Sequence, residues 1–162
     1  MMKVKIKLNG GIMPKKATDG AAAYDLYVPE DVSLENGRQV IDLKFSMELP
    51  HGYAATIQPR SGFSAKGMEA IVSDSYPFDD EEETYGKRLD ADVIRGLVDE
   101  DYRGNVGVIV NVQEYHDRIV IAKGTRIAQM QIVEVPKVEL EEVEELSDTN
   151  RGEGGFGSTG VK

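Results

Sequence analysis

The sequence predicts an all-β protein of sandwich, jelly-roll or barrel type. Three observations carry that expectation. Apolar residues recur with period two, glycine-containing turn signals separate the alternating runs, and a single short stretch is helix-capable.

The elements follow in chain order. Val4, Ile6 and Leu8 alternate with Lys3, Lys5 and Lys7, which marks a half-buried strand, and Asn9-Gly10-Gly11 ends it. Glu35-Asn36-Gly37 reads as the next turn. Leu43, Phe45, Met47 and Leu49 alternate up to the turn Pro50-His51-Gly52. Ser61 to Ala70 is the helix-capable stretch. Residues 73–92 break the pattern with Pro77, Gly86 and the acidic run Asp79-Asp80-Glu81-Glu82-Glu83, and read as an exposed inserted loop or flap. Val106, Val108, Val110 and Val112 alternate again, and Lys123-Gly124 marks a further turn. The domain expected from this pattern spans 1–148. A flexible glycine-rich arm, 149–162, follows it.

Bulk composition narrows the function. With 162 residues and a formal net charge of −10, the chain can bury one core but is a poor nucleic-acid coat. It contains no cysteine, and His51 and His116 lack ligand-type spacing, so thiolate and histidine metal sites are not expected. No apolar run reaches the roughly 18 residues of a membrane helix, and no signal-peptide core follows Met1; the default address is the cytoplasm. An acidic chain binds an anion only by local means: arginines, oriented N–H groups or a divalent cation.

Five segments offer such means. Asp19 to Tyr27 reads as a turn into a strand carrying an acid, Asp25. Pro59-Arg60-Ser61-Gly62 leads from a strand into a helical turn, where free N–H groups, a cation and a hydroxyl suit phosphate; a plain turn accounts for the same residues. Gly96-Leu97-Val98-Asp99-Glu100-Asp101-Tyr102-Arg103-Gly104 is an acidic hairpin turn. Its carboxylates are a solvated loop, a cation site or the ionised base that phosphoanhydride hydrolysis requires. Gly124-Thr125-Arg126-Ile127-Ala128-Gln129 reads alone as a turn before a buried strand. Arg151 to Gly160 embeds Phe156 among glycines, with Ser158 and Thr159 after it. A plain linker has no use for an arginine and a phenyl ring, whereas a segment ordering over a nucleotide has use for both.

In this order, the five motifs resemble those of the trimeric dUTP diphosphatase (dUTPase) family: Ala23 to Tyr27, Pro59 to Gly62, Gly96 to Gly104, Gly124 to Gln129 and Arg151 to Gly160. The resemblance spans nearly the whole chain. It implies a distorted jelly-roll subunit with one short helix, in a homotrimer whose C-terminal arms are exchanged and whose active sites are shared. It implies hydrolysis of dUTP to dUMP and diphosphate. Asp99 would activate the water that attacks the α-phosphorus. The stretch Val93 to Gly107, including Gly96, Leu97, Val98 and Gly107, would read the uracil edge. Tyr102 would pack beneath the deoxyribose and exclude a 2′-hydroxyl. Arg60, Ser61, Gly62 and Gln129 would hold phosphates. Arg151 would reach the γ-phosphate, Phe156 would cover the uracil, and Gly157, Ser158 and Thr159 would complete the cradle. Mg2+ would ride on the triphosphate and touch Asp25 only through water.

The chain departs from the family pattern at 73–92, which lengthens a stretch that is short in typical members. That insertion is a tolerated surface loop or a surface for a protein partner. Two other functions fit the same fold: a dCTP deaminase-like enzyme and a trimeric regulatory or binding protein.

Overall fold

The computed structural model describes residues 2–75 and 82–154. Strands dominate it. In chain order they are β1 (Lys5–Leu8), β2 (Tyr24–Tyr27), β3 (Val32–Leu34), β4 (Gly37–Asp42), β5 (Phe45–Glu48) and β6 (Tyr53–Gln58). The helix α1 (Ser61–Lys66) follows, then β7 (Met68–Ser75), β8 (Glu82–Leu89), β9 (Ala91–Ile94), β10 (Gly96–Val98), β11 (Gly107–Val112), β12 (Arg118–Ile121) and β13 (Arg126–Glu134).

Every strand pair is antiparallel. The sheets run β1-β5, β10-β6-β13-β2, β4-β11-β9 and β3-β12-β7-β8. Among the described residues, β7 and β8 are the one pair of consecutive strands; β9 and β11 pair across the short β10, and the other pairings cross between distant segments. Such crossovers distinguish a jelly roll from a simple meander. One core fills the interior, with Leu26, Ile41, Phe45, Ile57, Leu89, Ile119 and Ile127 almost fully buried. The alternation expected at 106–112 is realised in β11, where Val108, Val110 and Val112 are buried between half-buried neighbours.

Two expectations meet a different outcome. The helix ends at Lys66 instead of running to Ala70. Gly67 stops it with φ +82°, a left-handed conformation open to glycine, and its N–H closes the last turn on Phe63 O at 2.8 Å. A Cβ at Gly67 would lie 2.4 Å from the Leu89 carbonyl oxygen, so this close approach also demands glycine. Beyond it Met68, Ala70 and Val72 alternate into the core as a strand.

The second difference lies at 73–92. Its described part is sheet, not loop. β8 pairs with β7 over its whole length, from Met68↔Leu89 to Ser75↔Glu82, and β9 joins β11. Side chains reinforce the hairpin. The Ser73 and Thr84 hydroxyls share a hydrogen bond of 2.9 Å, the Tyr85 hydroxyl donates to Asp74 at 3.1 Å, and Arg88 pairs with Glu69. Pro77, Asp79, Asp80 and Glu81 lie outside the described residues.

β1 sits at the surface. Val4 and Ile6 pack against the core from its edge, while Leu8 stays 49% exposed. No helix of the described residues is long and apolar enough to cross a membrane.

Candidate active site

The expected site residues fall into two groups at opposite ends of one strand. The first group forms because β13 lies between β2 and β6, with Gln129 level with both Asp25 and Gln58. This register gathers three motifs that are distant in sequence. Asp25 is a buried carboxylate, and a buried charge needs a partner. Its Oδ1 accepts from Arg60 Nε at 2.9 Å, and its Oδ2 lies 3.4 Å from Arg126 Nη1. Arg60 Nη1 also donates to the Arg126 carbonyl at 3.3 Å, and Gln129 Nε2 donates to the Pro59 carbonyl at 3.0 Å. Asp25 and Gln129 therefore fix the backbone and guanidinium of the Pro59-Arg60-Ser61 turn.

Ser64 N–H reaches back to the Arg60 carbonyl at 2.9 Å, which leaves the N–H groups of the preceding first turn free of helix partners. Ser61 and Gly62 present that turn at the surface. Beside it lies a cleft of about 220 Å³ bordered by Arg60, Gly62, Lys66, Arg88 and Arg126. This end of the molecule is cationic although the chain as a whole is acidic.

The second group forms around the hairpin between β9 and β11. Its stem is paired, with Ile94 opposite Ile109 and Ala91 opposite Val112. Past Ile94 the incoming strand leaves β11 and joins β6 as β10, with Gly96 opposite Ile57 and Val98 opposite Ala55. The hairpin splays at this point. Between its arms opens a cavity of about 270 Å³ bordered by Gly96, Leu97, Asp99, Tyr102, Asn105 and Gly107. Val98 also borders it. Val93 is buried in the stem, 7% exposed, and supports this opening without lining it.

The tip of the hairpin is tied from all sides. Tyr102 N–H closes a turn on the Asp99 carbonyl at 3.2 Å, and the Tyr102 hydroxyl donates to the Asn105 carbonyl at 3.0 Å. Arg103 Nη1 donates to the carbonyls of Glu100 and Tyr102 at 2.7 and 2.9 Å. Asn105 joins Asp42 at 3.0 Å and Asn9 at 2.8 Å. The neighbouring carboxylates of Glu100 and Asp99 thereby separate in their contacts. Glu100 accepts from His51 Nδ1 at 2.8 Å and from Gly52 N–H at 2.5 Å. The His51 bond, aided by the Gly52 N–H, holds its carboxyl below the ordinary value of 4.5. Asp99 is exposed at the cavity rim, and its carboxylate has no hydrogen-bond partner among the described residues.

These two groups do not meet within one chain. Asp99 follows the residue paired with Ala55, whereas Arg60 lies beyond the far end of β6. Five residues of extended chain place them roughly 15–20 Å apart. Arg151 sits in a local turn, its Nε donating to the Gly154 carbonyl at 2.8 Å. Phe156, Gly157, Ser158 and Thr159 lie outside the described residues. Sequence reasoning missed the anchoring role of His51, Glu100 and Asn105; Pro50-His51-Gly52 signalled only a turn.

Comparison with known proteins sharpens this geometry. A family model described as dUTPase matches residues 9–77 and 86–160, passing over part of the β7–β8 hairpin. The deoxyuridine 5′-triphosphate nucleotidohydrolase of Hydrogenobaculum sp. is 39% identical over 153 residues, covering 93% of this chain and 91% of that protein. The vaccinia virus (strain Copenhagen) protein of the same name is 38% identical over 150 residues, covering 92% and 86% respectively. Among solved structures, a dUTPase of Staphylococcus bacteriophage 80alpha with dUPNHPP superposes with a TM-score of 0.78 at 29% identity, covering 98% of this chain and 99% of that one.

Proposed function

The chain belongs to the dUTPase family and is a dUTP diphosphatase, and from that premise we propose how its residues divide the hydrolysis of dUTP to dUMP and diphosphate. The observation that carries this reading is the exposed, unpartnered Asp99 carboxylate at the rim of the splayed hairpin, bordering the same cavity as Tyr102.

Uracil enters the opening between β10 and β11. Within it the backbone of Gly96 to Val98 and of Gly107 offers hydrogen-bonding groups that the two arms no longer share with each other. The Tyr102 ring, fixed through its hydroxyl to Asn105, forms a floor under the deoxyribose and rejects a 2′-hydroxyl by shape. Asp99 orients the attacking water and accepts its proton as the nucleophile closes on the α-phosphorus. Arg60, Ser61, the Gly62 N–H and Gln129 hold the phosphates, with Arg60 pre-aimed by Asp25. Arg151 and the segment containing Phe156, Gly157, Ser158 and Thr159 cover the bound nucleotide.

Asp25 is the residue that would hold magnesium, and only through water: both its oxygens face arginines, and each keeps a second lone pair. The ion would supply charge neutralisation along the phosphates.

The separation of Asp99 from Arg60 supports a homotrimer with composite sites, one chain presenting the hairpin and another the phosphate turn. Leu140 and Leu146, 94% and 87% exposed, give the same reading: these apolar side chains after β13 have no cover among the described residues. Pyrophosphate release from dUTP, dCTP, dTTP and UTP with magnesium tests the function. Release confined to dUTP is expected, and equal release from UTP would remove Tyr102 from its role.

A further inference from the structure

We propose that Arg88, carried by the hairpin β7–β8, together with Lys66 binds the pyrophosphate end of the substrate and of the released product. This inference rests on the reading of Arg60 to Gly62 as the phosphate turn, and it adds a contribution from the hairpin to that site.

Placement comes first. The return strand β8 is seated on the helix that carries the phosphate turn: the Leu89 carbonyl stands so close to Gly67 that a Cβ there would meet it at 2.4 Å. Leu89 is fully buried, so this end of the hairpin is fixed to the core and not free to swing. Arg88, one residue earlier, borders the same cleft as Arg60, Lys66, Arg126 and Gly62.

Charge comes second. The chain carries a formal net charge of −10, yet four cations border this one cleft. Arg60 and Arg126 share Asp25. Lys66, on the last turn of α1, has no ion-pair partner among the described residues. Arg88 pairs with Glu69 across the hairpin, and both side chains are open to water, 46% and 64% exposed. An exposed pair of this kind is held weakly and gives way to a multiply charged phosphate that accepts a forked guanidinium. Glu69, which borders the same cleft, thus acts as a counter-ion that keeps Arg88 in place there and competes with an incoming anion.

Calorimetric titration of the full chain with inorganic pyrophosphate, and separately with dUMP, tests this. Arg88→Gln and Lys66→Gln should each weaken pyrophosphate binding three- to tenfold and leave dUMP affinity unchanged, because dUMP lacks the two outer phosphates. Glu69→Gln should strengthen pyrophosphate binding two- to threefold. Wild-type affinity in both cation variants overturns the proposal, as does no pyrophosphate binding by the unaltered chain. A parallel loss of dUMP affinity also overturns it, since that marks general damage to the site. Turnover of dUTP by the unaltered chain is read alongside: its absence sinks the phosphate-turn reading, whereas normal turnover with unmoved affinities sinks the assignment of Arg88 and Lys66 and leaves that reading standing.

Discussion

Tyr102 lies across Gly104 so closely that a Cβ at position 104 would stand 2.3 Å from the phenolic oxygen and 2.5 Å from the ring carbon that bears it. Glycine is required there by the ring, not by backbone conformation. Gly104→Ala should push the ring from its seat, cost about 1–3 kcal/mol through overpacking, and lower kcat/KM for dUTP by about tenfold or more. Tyr102→Ala should raise UTP acceptance relative to dUTP. The double variant should be no worse than Tyr102→Ala alone, since the clash is then gone. Steady-state kinetics on dUTP and UTP with thermal melts check all three.

Asp99→Asn keeps the shape of the hairpin rim and removes the proposed base. Turnover should fall by about 10²- to 10⁴-fold, with binding of a non-hydrolysable dUTP analogue preserved. Unchanged turnover would displace Asp99 from the mechanism.

Asp25→Asn leaves Arg60 and Arg126 facing a neutral amide. The pair is mostly but not wholly buried, so a loss of about 2–3 kcal/mol in unfolding free energy is expected, below the full cost of breaking a deeply buried pair. Arg60 also loses its aim, so KM for dUTP should rise. Denaturant melts and kinetics measure the two effects separately.

Glu100 predicts a pH dependence. Its bonds to His51 and to Gly52 N–H depress the carboxyl in the folded state below the ordinary 4.5. A depressed acid contributes stability that is complete above the unfolded value and is lost as the pH falls through the folded one. The melting-temperature gap between the unaltered chain and Glu100→Gln should therefore be constant near neutrality and shrink below about pH 4.5. A gap that persists to acid pH contradicts the assignment.

Truncation after Asn150 removes Arg151 and all that follows. A folded protein with severely reduced dUTPase activity is the expected result. Unfolding of the truncated chain would make the arm structural.

Much of this architecture is visible in residue order alone. Val106 to Val112 alternate without interruption, and the strand appears where they do. The hairpin β7–β8 is not legible, because Glu83, Thr84, Lys87 and Arg88 carry no apolar period. Its strand is set by register with β7 and by pairs such as Ser73–Thr84. The point where the short helix ends is not legible, because Met68 and Ala70 suit helix and strand alike, and the left-handed backbone of Gly67 with its close packing on Leu89 decides between them. The site motifs are legible as local chemistry. Their division between the two ends of β6 is not, since it depends on which distant strands lie on either side of that strand.

The adjacency of β7 and β8 has a consequence for how this chain can change. A hairpin between consecutive strands closes on itself, so residues gained or lost at its tip alter no crossover elsewhere, and the entropy of closing it grows only logarithmically with length. The rest of the barrel must assemble through distant encounters that set the pace of folding. Length variation is thereby channelled to a place where the topology is indifferent to it, while the far end of the same ribbon stays anchored at Leu89 against Gly67, at the end of α1.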